Sequence, residues 1–144
     1  MRPLLNGGTL GGQVVGFLRF VVSELDPDSG RRQGVLQAAF TLRDQGELSP
    51  EELAALSAVA RWLGVNLPKP ARFTRKRNNS HRTPVALSWF KDTAREHVAK
   101  VRIVAALLEA RGIPVVTIAT DRPGYIVYED DFQVVAEPFA DSGA

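Results

Sequence analysis

The densest group of chemically capable side chains is a run of cations in the middle of the chain. Within residues 69–82, called here the basic segment, no acidic residue interrupts them. Its members are Lys69, Arg72, Phe73, Arg75, Lys76, Arg77, His81 and Arg82. Phosphate backbones bind such clusters by releasing counterions, and an aromatic ring such as Phe73 stacks on a base. The segment therefore predicts a surface that binds nucleic acid.

The charge of the chain is concentrated around this segment. The 144 residues carry a net charge of only +2. Residues 1–68 hold 6 basic and 7 acidic side chains, residues 69–111 hold 11 and 3, and residues 112–144 hold 1 and 6. The three parts are therefore at −1, +8 and −5, and the middle of the chain is the part suited to an anionic partner.

A second group of cations follows the basic segment on a predicted helix, residues 88–111. At 100° per residue, Lys91, Arg95 and Arg102 fall within about 40° of one another on the helical wheel. The sequence thus predicts one electropositive surface, formed by the basic segment and this stripe.

Two other interpretations of the basic segment stay open. It is a solvated loop, or it pairs with carboxylates, since Glu129, Asp130 and Asp131 cluster later in the chain. An acidic partner protein would serve equally well, which gives the alternative function of a protein–protein inhibitor or adaptor.

Catalytic or metal chemistry has weaker support. Asp92, Glu96 and His97 are close in sequence, but on a helix His97 projects about 100° away from Glu96. We therefore expect His97 to be a hydrogen-bonded core residue. With two histidines and no cysteine, no metal or other cofactor is expected.

An enzyme would need a polar pocket that the sequence does not indicate. A convergence of Glu96, Asp121, Arg122 and Tyr125 around one cavity would supply it. The class of protein favoured is therefore a binding protein without catalytic activity.

The elements expected to position these residues begin with a helical part, residues 1–68. The apolar run at 13–25 predicts a buried helix, and a helical hairpin follows over residues 31–63. Ser49, Pro50 and Glu52 have the pattern of a capping box with proline at the first helical position. Gly64 is expected to end that helix.

The second half predicts a long helix and a three-stranded antiparallel meander. Residues 69–84 form a basic linker, and residues 85–144 hold the helix at 88–111 and strands at 115–120, 125–129 and 132–137. The class is α+β, folded as one unit. Both faces of these strands are apolar, so we expect the helices or a second copy of the chain to cover the sheet.

Membrane insertion and export are not expected. The apolar run at 14–22 is too short for a span and contains Arg19. Glycines interrupt the first 12 residues where an export signal would need an apolar core. Together with the absence of cysteine, this favours the cytoplasm.

Several segments resemble a group of small bacterial proteins that have no assigned activity. The similar segments are residues 48–73, 87–94, 122–130 and 133–139, and the range over which they are spread is about 60% of the chain. The resemblance implies a bacterial cytoplasmic protein. It also implies a regulatory or anti-defence role, of the kind carried on mobile elements.

Overall fold

The computed structural model describes residues 16–27, 29–69 and 86–139. Within these ranges the chain forms three helices and one six-stranded antiparallel sheet. In chain order the elements are β1 (Phe17–Leu25), β2 (Arg32–Gly34), α1 (Val35–Asp44), α2 (Pro50–Asn66), β3 (Leu87–Lys91), α3 (Arg95–Ala110), β4 (Val116–Thr120), β5 (Tyr125–Glu129) and β6 (Gln133–Glu137). The chain is an α+β protein, but the predicted helical half followed by a helix and a three-stranded meander is wrong.

The sheet has the strand order β4–β1–β3–β6–β5, and the short strand β2 also pairs with β1. Val21 pairs with both β4 and β2, so these two strands lie on opposite edges of β1. Phe17 pairs in the same way with both β4 and β3. Strands β2 and β3 therefore occupy the same edge of β1, one after the other.

The sheet is curled, so that its two outermost strands approach each other. Residues 121–124 alone connect β4 to β5, and such a connection spans at most about 18 Å. In a flat sheet, four strand spacings would already separate these strands by about 19 Å. The sheet therefore has a concave and a convex face.

Each face holds its own hydrophobic cluster. On the concave face, Phe17, Leu87, Trp89 and Val134 are all at most 9% exposed, so this face is buried within one chain. On the convex face the helices pack over β1, and α1 and α2 pack on α3 more than on each other. Among the described helices, none combines the length and apolar character that a membrane span requires.

Residues 17–25 of the apolar run form strand β1, so the buried helix predicted there is wrong. Successive side chains of a strand point to opposite faces, and here both faces are buried. Phe17 and Val21 belong to the concave side, whereas Phe20 and Val22 pack under the helices. Because neither face contacts water, the run shows no polar alternation and resembles a buried helix.

The predicted helix at 88–111 also begins too early. Residues 87–91 form β3, a turn follows, and α3 begins only at Arg95. Ser88, expected as a helix cap, is an exposed residue within the strand. Trp89 and Phe90 have the aromatic character that suits a strand flanked on both sides.

The three late strands lie where the sequence predicts them, but they do not form a meander. Strands β5 and β6 pair as a hairpin, whereas β4 pairs with β1 at the other edge of the sheet. Local patterns locate strands but carry no information about which distant strand each will pair with.

The capping box at the start of α2 is confirmed. The Glu52 amide donates to Ser49 Oγ at 3.1 Å, and the Ser49 amide donates to Glu52 Oε1 at 2.9 Å. The expected end at Gly64 is wrong, because α2 continues to Asn66.

Candidate functional site

The structure describes only the first residue of the basic segment. Lys69 is exposed and follows directly on Pro68. The other predicted members lie outside the described residues: Arg72, Phe73, Arg75, Lys76, Arg77, His81 and Arg82. The structure therefore shows only where the basic segment begins, at Pro68 and Lys69. These two residues are called here the base of the segment.

That base is tied to the β5–β6 turn. The side-chain amide of Gln133, itself only 4% exposed, donates to the carbonyl oxygen of Pro68 at 2.7 Å. The same nitrogen donates to Asp130 Oδ2 at 2.9 Å. Tyr128 donates its hydroxyl to that oxygen at 2.8 Å, and the amide of Phe132 donates to Asp130 Oδ1 at 2.8 Å. The carboxylate of Asp130 therefore organises the turn that holds the start of the basic segment.

These contacts set the ionisation of Asp130. Partial burial is the largest single influence and raises the pKa of Asp130. The hydrogen bonds from Gln133, Phe132 and Tyr128 together outweigh it and hold the pKa below its ordinary value. The same contact raises the pKa of the Tyr128 hydroxyl, because a neighbouring carboxylate disfavours the phenolate.

Replacing Asp130 with asparagine is expected to lower the free energy of unfolding by about 1 kcal/mol or more at pH 7. Because the folded pKa of Asp130 is depressed, its contribution is present above the unfolded pKa of about 4 and is lost as pH falls through the folded pKa. Urea unfolding at pH 7 and near pH 3 checks this, and the difference between the two proteins should shrink in acid.

The matched control is Asp131→Asn, one residue away and exposed. It changes the same charge within the turn but removes none of the hydrogen bonds of Asp130, and should alter stability by less than about 0.5 kcal/mol. Equal effects of the two variants would contradict the role given to Asp130.

Lys91 does not lie on the helix, so its predicted place in the helical stripe is wrong. It is the last residue of β3, and its Nζ contacts Glu129 Oε2 at 2.7 Å. The lysine side chain is only 16% exposed in this ion pair. Part of the acidic cluster at the hairpin thus pairs with a cation of the chain. Lys91 is less available to a ligand than Lys69, Arg95 and Arg102, the other predicted binding residues that the structure describes.

Arg95 and Arg102 are the two stripe residues that α3 carries. They are seven residues apart, which places them on the same side of the helix about 10 Å from each other. Both are exposed, and neither forms an ion pair with a carboxylate in the part of the chain that the structure describes. The guanidinium of Arg102 lies over the ring of Phe20, 5.2 Å from its centroid, which limits the conformations of this cation.

His97 is a buried, hydrogen-bonded core residue, as the sequence predicts. It is 5% exposed, its Nε2 lies 2.8 Å from the carbonyl oxygen of Asn66, and its ring stacks on Phe132. Asp92 accepts a hydrogen bond from the amide of Gly16 at 3.0 Å and so joins the start of β1 to the end of β3. These two side chains have structural partners and do not form an acid–base pair.

The four residues that would have indicated an enzyme do not converge. Neither of the two cavities in the described part of the chain is lined by Glu96, Asp121, Arg122 or Tyr125. Arg122 and Tyr125 instead contact the ring of Phe139 from two directions.

The residue that sequence reasoning missed is Arg19. It interrupts the apolar run of β1 and is only 7% exposed. A charged side chain within a buried strand must find partners, because burying an unpaired charge is costly. The charge of Arg19 within an apolar run is therefore a sign of a polar site inside the protein. In the sequence, this charge was used only to exclude a membrane span.

Comparison of the chain with protein-family models, with curated proteins and with solved structures found no match. The functional argument therefore depends on the residues of this chain and on their geometry.

Proposed function

We propose that the protein binds nucleic acid without sequence specificity, through phosphate contacts from the basic segment and from Arg95 and Arg102. The observation that carries the proposal is the charge distribution, with +8 over residues 69–111 and no acid in the basic segment. Cations concentrated in this way give salt-dependent affinity for phosphate backbones without any recognition motif.

The contacts at the base of the segment support this proposal. The bond from Gln133 to Pro68 fixes the chain immediately before Lys69. His97 of α3 contacts both Asn66, near this point, and Phe132, next to Gln133. Since Arg95 is two residues before His97, the start of the basic segment and the first turn of α3 lie at the same end of the molecule. A single nucleic-acid strand can then reach both groups of cations.

Fluorescence anisotropy with labelled random-sequence oligonucleotides tests the proposal. Single-stranded and duplex DNA and RNA should each bind with a dissociation constant of about 10⁻⁶ to 10⁻⁴ M near physiological salt. Poly-glutamate of similar length is the matched acidic probe without phosphates. Absence of binding to every nucleic acid at low salt would contradict the proposal.

The alternative, an inhibitor or adaptor that docks on an acidic protein, makes a different prediction in the same assay. Poly-glutamate would then bind at least as tightly as the oligonucleotides, and a partner captured from a nuclease-treated bacterial lysate would persist. A bacterial cytoplasmic location is part of both proposals.

We also propose a homodimer, which fewer observations support than support nucleic-acid binding. The concave face is buried within one chain and needs no second copy to cover it. The outer strand β5 keeps exposed apolar side chains at Tyr125, Ile126 and Val127, and a second copy would pair along that strand.

A further inference from the structure

Strands β2 and β3 leave a gap where they share the edge of β1. β3 pairs with Phe17 and Leu18, and β2 pairs with β1 only from Val21 onward. Arg19 and Phe20, between these points, pair with β4 on the opposite edge alone. A cavity of about 360 Å³ lies in this fork, a volume suited to a small organic molecule.

Arg19 is the buried charge at this cavity. Its Nη2 donates to the carbonyl oxygen of Arg32 at 2.8 Å, and its guanidinium lies over the Trp89 ring, 5.6 Å from the centroid. Burial lowers the pKa of Arg19, the charge of Arg31 acts in the same direction, and Asp26 opposes them. A guanidinium has five N–H donors and stays charged at neutral pH, so the bond to Arg32 uses a minority of its donors.

Trp89 adds an unpaired donor to the same cavity. Its indole is 1% exposed and lines the cavity beside Arg19. Its Nε1 finds no hydrogen-bond acceptor among the residues that the structure describes. A buried donor without a partner destabilises the folded state, and an acceptor bound beside it would relieve this.

The start of helix α1 presents further donors. Its N-cap is Gly34, which supplies no capping side chain, and Gly34 and the first three helical residues all line the cavity. The first amides of a helix lack partners within the helix, and the helix dipole favours an anion at this end. Three kinds of donor therefore meet at one cavity: a guanidinium, an indole and helix amides.

The remaining walls combine apolar side chains, with Phe20, Leu87, Phe90 and Val101 among them, and polar ones that include Arg32 and the carboxylate of Asp26. We infer that this cavity binds a small organic anion, whose carboxylate or phosphate group contacts Arg19, Trp89 and the start of α1 while its apolar body packs between β2 and β3. Lys69, Arg95 and Arg102 are not among the residues that line this cavity, and the inference goes beyond nucleic-acid binding.

The indole signals of ¹⁵N-labelled protein test this inference directly. The chain has two tryptophans, so Trp62→Phe assigns the signal of Trp89. Titration with benzoate or phenyl phosphate should move the Trp89 Nε1–H signal saturably, with a dissociation constant on the order of 1 mM. The tighter of the two probes identifies the anionic group. Benzamide, which is neutral and of similar shape, should bind at least about tenfold more weakly.

Arg19→Gln should weaken the binding of the anion at least about tenfold, whereas Arg61→Gln, at an exposed position that does not line this cavity, should leave it unchanged. If Arg19→Gln fails to fold, the inference is still tested on the wild-type protein, by comparing the binding of benzoate and phenyl phosphate with that of benzamide. No saturable movement of the Trp89 signal up to about 20 mM of either anion, or equal binding of benzamide, would overturn the inference.

Discussion

Replacing Gly124 with alanine is expected to lower the free energy of unfolding by at least about 3 kcal/mol. Gly124 has φ 137°, in a region that L-residues rarely adopt. A Cβ built there would lie 2.1 Å from the carbonyl oxygen of Glu137, which is a backbone atom and cannot rotate away. Relief would require β5 to shift against β6, whose register is fixed by Tyr125 pairing with Glu137. The loss is a large share of the stability of an ordinary domain.

The matched control for this variant is Gly112→Ala. Gly112 also has a positive φ, 85°, but a Cβ there would meet no atom within 4 Å. Gly112→Ala should lower the free energy of unfolding by only about 1–2 kcal/mol, because it imposes the left-handed conformation on alanine and creates no clash. Thermal and urea unfolding of both variants measures the difference. Equal losses would show that the contact with Glu137 is unimportant and would contradict the close approach of these strands.

The second large effect concerns the basic segment. The triple variant Arg75→Ala, Lys76→Ala and Arg77→Ala is expected to weaken nucleic-acid binding by at least about tenfold near physiological salt. For each cation removed, roughly one counterion fewer is released from the phosphate backbone on binding. Because the three residues are half of the six lysines and arginines in the segment, the effect should exceed that of a triple replacement of cations outside the segment.

A control variant with the same change in net charge shows whether the position of the cations matters or only their number. Arg43→Ala, Arg61→Ala and Arg122→Ala removes three exposed arginines elsewhere on the molecule. If the basic segment is the contact surface, this control should weaken binding by less than about threefold. If both triple variants lose affinity equally, only the net charge matters, and the proposed surface is wrong.

The parts of the fold that the sequence predicts correctly are those that depend on neighbouring residues. The capping box at Ser49 and Glu52 is a contact across three residues, so its spacing alone specifies it. Gly124 lies between two strands that the sequence predicts, 115–120 and 125–129, but the sequence carries no sign of the contact with Glu137 that requires a glycine there. That contact exists because the sheet curls and pairs strands distant in sequence.

The errors at β1 and β3 have a common physical cause. Both strands lie in the centre of the curled sheet and carry apolar side chains on both faces, so neither shows a clean polar alternation of the kind that indicates a strand. The same burial makes the proposed anion site hard to recognise in the sequence. Arg19 and Trp89 are 70 positions apart by residue number, and only the pairing of β1 with β3 brings them into contact.

The central claim, that the basic segment binds phosphate backbones, is tested most directly by the salt dependence of binding. The logarithm of the association constant for random duplex DNA, plotted against the logarithm of salt concentration, should have a slope of about −3 to −7. The triple variant in the basic segment should give a slope about 2–3 shallower, whereas the matched triple should keep the wild-type slope. A slope near zero, or no binding at low salt, would contradict the account.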